Sequence, residues 1–400
     1  MNIGILTYHF VSNFGANLQT LSTFSYLKNS EHTPIIIDWV PYDLENYYNL
    51  KVSPSQNEAF KSFQQHYYLN KTVTCRTSED IARVIDEYNI EHVIIGSDAV
   101  LTFVPFLQRF VITRRGPRYY TPLKDSQFPN PFWGDFIPLL NKPIKLSLMS
   151  ASAQNTKYQL IISNCLKKQI TSALQRFSYI SVRDIWTQNM INHLTRGTIK
   201  SIITPDPVFS FNQNVGDLHN KKYIMEKYNL PEHYVLFSTT QQQFLGSWII
   251  ELAKIFSNHG IKLIELPIAN MSYKEHCIEH ISQAIPPDDW YCLIKYATGY
   301  IGELMHPILV SLHNGTPIYA IDTYGFINHG KFDYTSSKTY QILQNFNLTD
   351  NWFSTNIKKQ NTPTPNEVFS KIIKFNRELC LQHASRKQYE YNLMMKDILK

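Results

Sequence analysis

Residues 301–322 read IGELMHPILVSLHNGTPIYAID, and this stretch predicts a strand end, a short helix, a turn and a second buried strand. The apolar run Ile308–Leu312 suits a helix that packs on a sheet, and the run Ile318–Ile321 suits a buried strand. Gly315 and Pro317 predict a turn between this helix and this strand, because glycine and proline interrupt regular elements. The stretch is therefore typical of an α/β protein with parallel strands.

The polar residues of this stretch lie where a strand would meet a helix. Proline fits the first helical position, because its missing N–H would have no partner there, so we expect His306 to cap the helix and Pro307 to begin it. Ligands of open α/β sheets bind beside the carboxyl ends of strands, and helix N-termini attract anions. Glu303 and His306 are therefore a candidate acid–base pair beside an anionic substrate.

Strand and helix patterns alternate along most of the chain, which predicts two doubly wound, mostly parallel sheets. We expect an N-terminal domain at 1–210, a C-terminal domain at 211–365 and a C-terminal helical segment at 366–400 that braces the two. Within the first domain, prolines, aromatics and arginines at 105–136 predict a long loop or insertion. The expected helices include 157–177 and 272–284, and a polar linker is expected at 212–220.

Composition narrows the class of protein. The 400 residues are 43% hydrophobic and 14% aromatic, enough for two packed domains. The net charge of +6 comes from scattered Lys and Arg, without the basic stripe that nucleic-acid binding needs, so we expect no nucleic-acid partner. Small phosphorylated or acidic substrates fit this charge better.

Cysteine usage and hydropathy bear on location. The five cysteines are widely spaced and form no C-x-x-C pair, so neither a disulfide framework nor a cysteine metal site is indicated. The first residues form a strand pattern rather than a signal peptide, and no apolar run has the roughly 18–20 residues that span a bilayer. We expect a cytoplasmic protein, with the inner face of the membrane as an alternative location.

Short motifs spread over the chain together resemble one family. They are Asn13-Phe14-Gly15-Ala16-Asn17-Leu18-Gln19, Val93-Ile94-Ile95-Gly96-Ser97-Asp98, Ser150-Ala151-Ser152, Ser181-Val182-Arg183-Asp184, Asp206-Pro207, and His306 followed by Gly315 and Pro317. In their order and spacing these motifs are similar to those of the polysaccharide pyruvyl transferase family. The resemblance implies two Rossmann-like domains facing a central cleft, as in GT-B glycosyltransferases.

The resemblance also implies a reaction. Pyruvyl would pass from phosphoenolpyruvate to a sugar of a cell-surface polysaccharide or its lipid-linked or nucleotide-linked precursor, forming a ketal, with no metal and no cofactor. His306 would be the general acid or base, Glu303 its partner, and Arg183 the cation for the donor carboxylate or phosphate. The residues also allow plainer roles: a capping histidine, a salt-bridged glutamate and an arginine in an ordinary ion pair.

Six further residues are candidates for substrate binding, through backbone N–H groups, strand-end polar side chains or a cation. Turn formation, helix capping and, for the lysine, simple solvation are the alternatives. The candidates are Asn13, Gly15, Asn17, Ser97, Asp98 and Lys338.

Three other functions stay open. Leu304 stands where one family branch has arginine, which favours a GT-B-like glycosyltransferase with a nucleotide-sugar donor. His276-Cys277-Ile278-Glu279-His280 matches the H-x-x-E-H pattern of some zinc peptidases, although short patterns recur by chance. A glycan-binding relative without catalysis is the third alternative.

Overall fold

The computed structural model describes residues 1–113, 116–154, 156–268, 277–328, 330–358 and 360–400. These residues form an α/β structure with two separate parallel sheets, as the alternating pattern predicts. None of the described helices is long and apolar enough to cross a membrane.

The described residues form fifteen strands. Their bounds are β1 Asn2–Leu6, β2 Thr33–Ile36, β3 His92–Asp98, β4 Phe110–Thr113, β5 Gly116–Tyr119, β6 Lys145–Ala151, β7 Tyr179–Val182, β8 Ile202–Ile203, β9 Tyr234–Ser238, β10 Lys262–Glu265, β11 Gly299–Gly302, β12 Ile318–Asp322, β13 Phe326–Asn328, β14 Lys331–Asp333 and β15 Trp352–Ser354.

The described residues also form fourteen α-helices. Their bounds are α1 Phe14–Asn29, α2 Tyr42–Asn49, α3 Pro54–Tyr67, α4 Ser78–Glu87, α5 Asn164–Leu174, α6 Ile185–Thr195, α7 Phe211–Val215, α8 Lys221–Tyr228, α9 Ser247–Ser257, α10 Pro287–Lys295, α11 Met305–Asn314, α12 Lys338–Asn345, α13 Pro365–Ile373 and α14 Arg377–Leu399.

The first sheet has the strand order β2-β1-β3-β6-β7-β8, and the second has the order β10-β9-β11-β12-β15. All neighbouring strands within each of these sheets pair in parallel. Central strands such as β3 are buried along nearly their whole length, because helices cover both faces of such a sheet. Polar side chains therefore concentrate where these strands end.

Helices α1 and α11 meet between the two sheets and share one apolar core, to which Phe14, Leu18 and Leu309 contribute. The long helix α14 contacts both halves. Ser150 of the first sheet donates to Met394 Sδ at 3.3 Å, and Cys380 Sγ donates to the Leu312 carbonyl of α11 at 3.2 Å. The bracing role expected of the C-terminal segment is thus confirmed, although that segment consists of two helices, α13 and α14.

Several expected boundaries were wrong. The helix expected at 157–177 is a short 3-10 turn followed by α5, which begins at Asn164 with Ser163 as its cap. The expected linker 212–220 contains most of α7. The long loop or insertion expected at 105–136 is not contradicted, but it has local structure, namely the antiparallel hairpin β4–β5 and three short 3-10 turns that begin within it. Tertiary contacts override local propensity at such positions.

The helix expected at 272–284 falls partly on residues 269–276, which lie outside the described residues. From 277 to 284 the structure has bends and an isolated bridge between Glu265 and His280, not a helix. The next helix, α10, begins at Pro287. Pro286 and Pro287 lack N–H donors, which makes them poor residues for a helix interior.

Candidate active site

A cavity of about 140 Å³ opens between the two halves of the protein. The first turns of α1 and α11 both border it, through Gly15 and His306 among others. The N-terminus of a helix carries partial positive charge and unpaired N–H groups. No described side chain caps α11, whose N-cap residue is Leu304. The cavity is therefore suited to a small anion.

The helix boundary differs from expectation here. Helix α11 begins at Met305, so His306 is not the cap and Pro307 is not the first helical residue. Proline is still tolerated at this point, because N–H groups of the first turn need no intrahelical partner. The shift places the His306 side chain on the first turn of α11, where it lines the cavity.

The His306 imidazole packs directly on the backbone of Gly15. A β-carbon built on Gly15 would lie only 2.0 Å from Cγ and 2.1 Å from Nδ1 of His306. Any side chain at position 15 would therefore collide with the ring. Gly15 is needed for this close approach, whereas donation of its backbone N–H to a substrate stays a prediction.

The surroundings of His306 favour its neutral form. Burial lowers the pKa of His306, and the carboxylates of Asp206 and Asp98 only partly oppose this effect. The buried Nε2 atom makes no hydrogen bond with any described residue. A neutral imidazole with a free ring nitrogen beside a cavity can accept or donate a proton.

Arg183 bridges two carboxylates. Its Nη1 lies 2.7 Å from Asp206 Oδ2 and its Nη2 lies 3.1 Å from Asp98 Oδ1. Burial acts to lower the pKa of Arg183, but the neighbouring aspartates outweigh it and raise the pKa. The ion pair that the sequence left open is thus present, although Arg183 also lines the cavity. A role in donor binding stays a prediction for this residue.

Replacing Arg183 with methionine is expected to lower the free energy of unfolding by about 3–5 kcal/mol, because Asp98 and Asp206 would be left buried without a cation. Denaturation in urea measures the loss. The control is Arg83→Met, since Arg83 is 53% exposed beside Asp80 and its pair contributes at most about 1 kcal/mol. Equal stability of the two variants would show that Arg183 has no structural role.

Lys338 is the cation of the cavity whose surroundings best suit the binding of a ligand. It is the first residue of α12 and is 9% exposed. Among the described residues it forms no ion pair and no side-chain hydrogen bond, whereas Arg183 is already paired. Burial and, after it, Arg183 lower the pKa of Lys338 to about 8, although Asp184, Asp98 and Asp206 partly oppose this effect. A buried ammonium group with no carboxylate at ion-pair distance is suited to bind an incoming anion.

Glu303 is buried, but its carboxylate points to another loop. It accepts hydrogen bonds from Thr239 Oγ1 at 2.8 Å, Thr240 Oγ1 at 3.1 Å and Gln241 Nε2 at 3.2 Å. None of its described donors is His306, and Glu303 is not among the residues that line the cavity. Its role as the partner of His306 stays a prediction, and its observed bonds hold the loop after β9.

Asn13, Asn17 and Ser97 are held by hydrogen bonds within the protein. Asn13 Oδ1 caps α1 by accepting from the Ala16 N–H at 3.1 Å, and its own N–H donates to Val11. The Asn17 amide is fully buried and donates to Val11 and Asn13 carbonyls. Ser97 Oγ donates to the Ser150 carbonyl. Of these three residues, only Asn13 lines the cavity.

Asp98 lies at the end of β3 with a φ of +87°, a backbone conformation that costs energy for a residue other than glycine. Burial alone would raise the pKa of Asp98, but nearby cations, Arg183 first among them, outweigh burial and lower it. The structure thus brings Asp98, Arg183, His306 and Lys338 together at one cavity, as the predicted strand ends suggested.

The sequence did not predict that aromatic residues line the cavity, namely Phe14, Trp290 and Tyr324. The Phe14 and Trp290 rings stack with centroids 4.8 Å apart and planes 6° apart, and both residues line the cavity. Tyr324 lines it too, and burial raises its pKa to about 12, so its hydroxyl keeps its proton. Phe14 lies inside a recognisable motif, but nothing near Trp290 or Tyr324 signalled a site.

Metal binding has little support at the predicted pattern. His276 lies outside the described residues, and Glu279 pairs with Lys262 at 2.5 Å. Within the described residues, His219, Asp288 and Asp289 form the one group of three suitable ligands. None of these three lines the cavity, and Asp289 Oδ2 already binds Lys227 and Tyr228.

Solved structures with the same fold include three UDP-N-acetylglucosamine 2-epimerases. The enzyme from Methanocaldococcus jannaschii has a TM-score of 0.53 at 8% identity, covering 99% of this chain and 100% of that one. The enzyme from Neisseria meningitidis, solved bound to UDP-GlcNAc, has a TM-score of 0.52 at 8% identity over 100% of both chains. A putative epimerase from Listeria monocytogenes has a TM-score of 0.51 at 8% identity, covering 98% and 94%.

These likenesses confirm the fold class of two Rossmann-like domains of GT-B type. No curated protein sequence matches the chain significantly. A family profile described as polysaccharide pyruvyl transferase matches residues 13–324, a range that begins at the cap of α1 and includes Arg183 and His306. This match covers most of the chain and indicates a transferase, so the protein belongs to the polysaccharide pyruvyl transferase family.

Proposed function

We propose that this transferase uses phosphoenolpyruvate as its donor and forms a pyruvyl ketal on a sugar of a cell-surface polysaccharide or its precursor. The observation that carries the proposal is that His306, whose neutral form is favoured, and Lys338, which has no ion-pair partner among the described residues, line the same cavity. Two helix N-termini border that cavity as well. Phosphoenolpyruvate is a small, strongly anionic molecule, which such a cavity favours.

The reaction adds a proton to the methylene carbon of the donor and joins one sugar oxygen to its central carbon. The bond from that carbon to the phosphate oxygen then breaks, and a second sugar hydroxyl attacks the same carbon. One hydroxyl proton ends on the new methyl group and the other on the released phosphate. In this scheme neutral His306 takes a proton from the attacking hydroxyl, and Lys338 binds the phosphate or carboxylate.

We further propose that the reaction takes place in the cytoplasm, at the inner face of the membrane. All five cysteines are free, which fits a reducing compartment. The acceptor would be free, nucleotide-linked or lipid-linked. We propose no cofactor for this chemistry, because side chains of the cavity can supply both proton transfer and anion binding.

Thermal shift with phosphoenolpyruvate tests the donor. A ligand at a hundred times its Kd stabilises a protein by about 2.7 kcal/mol, so the wild-type protein should melt at a higher temperature with phosphoenolpyruvate. Lys338→Met should remove that shift, whereas Lys387→Met, a change at a lysine on α14 that does not line this cavity, should keep it. A shift with UDP-N-acetylglucosamine but not with phosphoenolpyruvate would favour the nucleotide-sugar glycosyltransferase instead.

The pH dependence of donor use offers an independent check on Lys338. Its pKa of about 8 means that the ammonium form is lost as the pH rises through 8, so kcat/KM for phosphoenolpyruvate should fall above that pH. Lys338→Arg should abolish this fall, because arginine stays protonated. Lys338→Met should lower kcat/KM by about 10- to 100-fold at pH 7. A wild-type profile that is flat from pH 7 to 10 would exclude Lys338 as the donor cation.

A further inference from the structure

The hairpin β4–β5 exposes an unusual amount of apolar surface. Consecutive residues of β4 are exposed rather than alternating between a buried and a solvent face; Ile112 is 89% exposed, and Phe106, just before the strand, is 61% exposed. An isolated two-stranded hairpin is at best marginally stable in water. Contiguous apolar patches of this kind mark interaction surfaces.

The apolar side chains of this hairpin are packed on one another. The rings of Phe106 and Phe110 lie 5.2 Å apart, and those of Phe110 and Tyr119 lie 5.3 Å apart. The backbone between them is tied by a hydrogen bond from the Tyr120 N–H to the Arg109 carbonyl at 3.1 Å. The patch is therefore a preformed aromatic surface.

The positive charge of residues 99–124 indicates an anionic binding partner. Between Asp98 and Asp125 the chain has no acidic residue and five basic ones, namely Arg109, Arg114, Arg115, Arg118 and Lys124. Arg114 and Arg115 lie outside the described residues, whereas Arg118 is described and exposed. Exposed aromatic and aliphatic side chains interleaved with arginine fit the interface of an anionic bilayer, where rings lie at headgroup level and cations meet phosphates.

Both ends of the segment are anchored beside the active site. Asp98 and Ala99 line the cavity, and at the other end Asp125 accepts a hydrogen bond from Tyr8 at 2.7 Å. Tyr8 follows β1, so both anchors lie at the carboxyl-end edge of the first sheet. The segment that carries the hairpin thus starts and ends at the edge of the first sheet that borders the cavity.

We propose that the hairpin formed by 106–113 and 116–120 inserts Phe106, Phe110 and Ile112 into the headgroup region of an anionic membrane. Arg109 and Arg118 would bind lipid phosphates. This inference deepens the proposed location at the membrane and suits a lipid-linked sugar acceptor, and it does not depend on the identity of the donor.

Sedimentation with lipid vesicles tests the proposal. The full chain should bind vesicles of equal parts phosphatidylcholine and phosphatidylglycerol, and binding should weaken in high salt. Phe106→Ser/Ile112→Ser should bind at least about tenfold more weakly. Arg118→Gln should bind about fivefold more weakly to the anionic vesicles. The matched control is Leu69→Ser/Ile250→Ser, because these two residues are 75% and 56% exposed and lie outside the hairpin.

Three results would overturn the inference: no binding of wild-type protein to anionic vesicles, equal binding by the hairpin variant and the control, or a wild-type dimer that the hairpin variant alone dissociates without any vesicle binding. Transfer to a soluble sugar separates this inference from the proposed function. Phe106→Ser/Ile112→Ser should retain that transfer. Vesicle binding by a protein that does not use phosphoenolpyruvate would refute the proposed donor and leave the membrane surface intact.

Discussion

Replacing His306 with alanine is expected to lower kcat for pyruvyl transfer by about 100- to 10,000-fold, the usual contribution of a positioned acid or base. The Nε2 atom of His306 makes no hydrogen bond with described residues, so the change should leave the fold intact. Phosphate release from phosphoenolpyruvate in the presence of an acceptor measures the loss, and the circular dichroism spectrum verifies folding.

The control for this experiment is His259→Ala, because His259 is an exposed histidine in the turn after α9. It should retain full activity. Undiminished transfer by His306→Ala would remove His306 from the mechanism and leave Lys338 and Tyr324 as candidate proton-transfer groups of the cavity.

Replacing Gly15 with alanine is expected to reduce turnover nearly as much as the loss of His306. The new methyl carbon would lie 2.0 Å from Cγ of the imidazole, so the ring must leave its position. Alanine is otherwise favoured over glycine inside a helix by about 1 kcal/mol, and Gly15 is within α1. The variant should therefore fold, yet lose kcat.

The double variant Gly15→Ala/His306→Ala distinguishes displacement of the ring from other damage. If Gly15 acts through His306, the double variant should be no slower than His306→Ala, because coupled residues are not additive. A further large loss in the double variant would mean that Gly15 has another role. Gly299→Ala is a matched glycine change, since its new methyl would contact the Ile372 side chain at 3.0 Å, and it should keep activity.

Hydrophobic periodicity was sufficient for the sheets but not for the connections between them. Strands such as β1, β3 and β9 are buried apolar runs whose identity depends on their own residues. The extents of α5 and α7, which pack on α6 and α1, depend on distant contacts, and the exposed hairpin β4–β5 has no clear hydrophobic period, so the local pattern did not predict any of the three. Of the helix expected at 272–284, the described part 277–284 is not helical, and His280 there forms an isolated bridge with Glu265.

The candidate site shows the same division. Motif resemblance located Asn13, Gly15, Asp98, Arg183, His306 and Lys338, and the structure brings all six to one cavity. Motif resemblance could not show that Glu303 accepts hydrogen bonds from Thr239 and Thr240, because these contacts join two strand ends that are far apart in the chain. Trp290 and Tyr324 carry no local signal at all, since an isolated aromatic residue is usually a core residue.

The sequence by itself determined the fold class, the family and the segment that carries the histidine, because these depend on periodicity, turn residues and short ordered motifs. Only the tertiary structure decided which charges are already paired. Arg183 is held by Asp98 and Asp206, whereas Lys338 is buried without such a partner, and His306 can occupy its place only because Gly15 has no side chain. Pairing, burial and steric fit arise from contacts between distant segments, which no local pattern records.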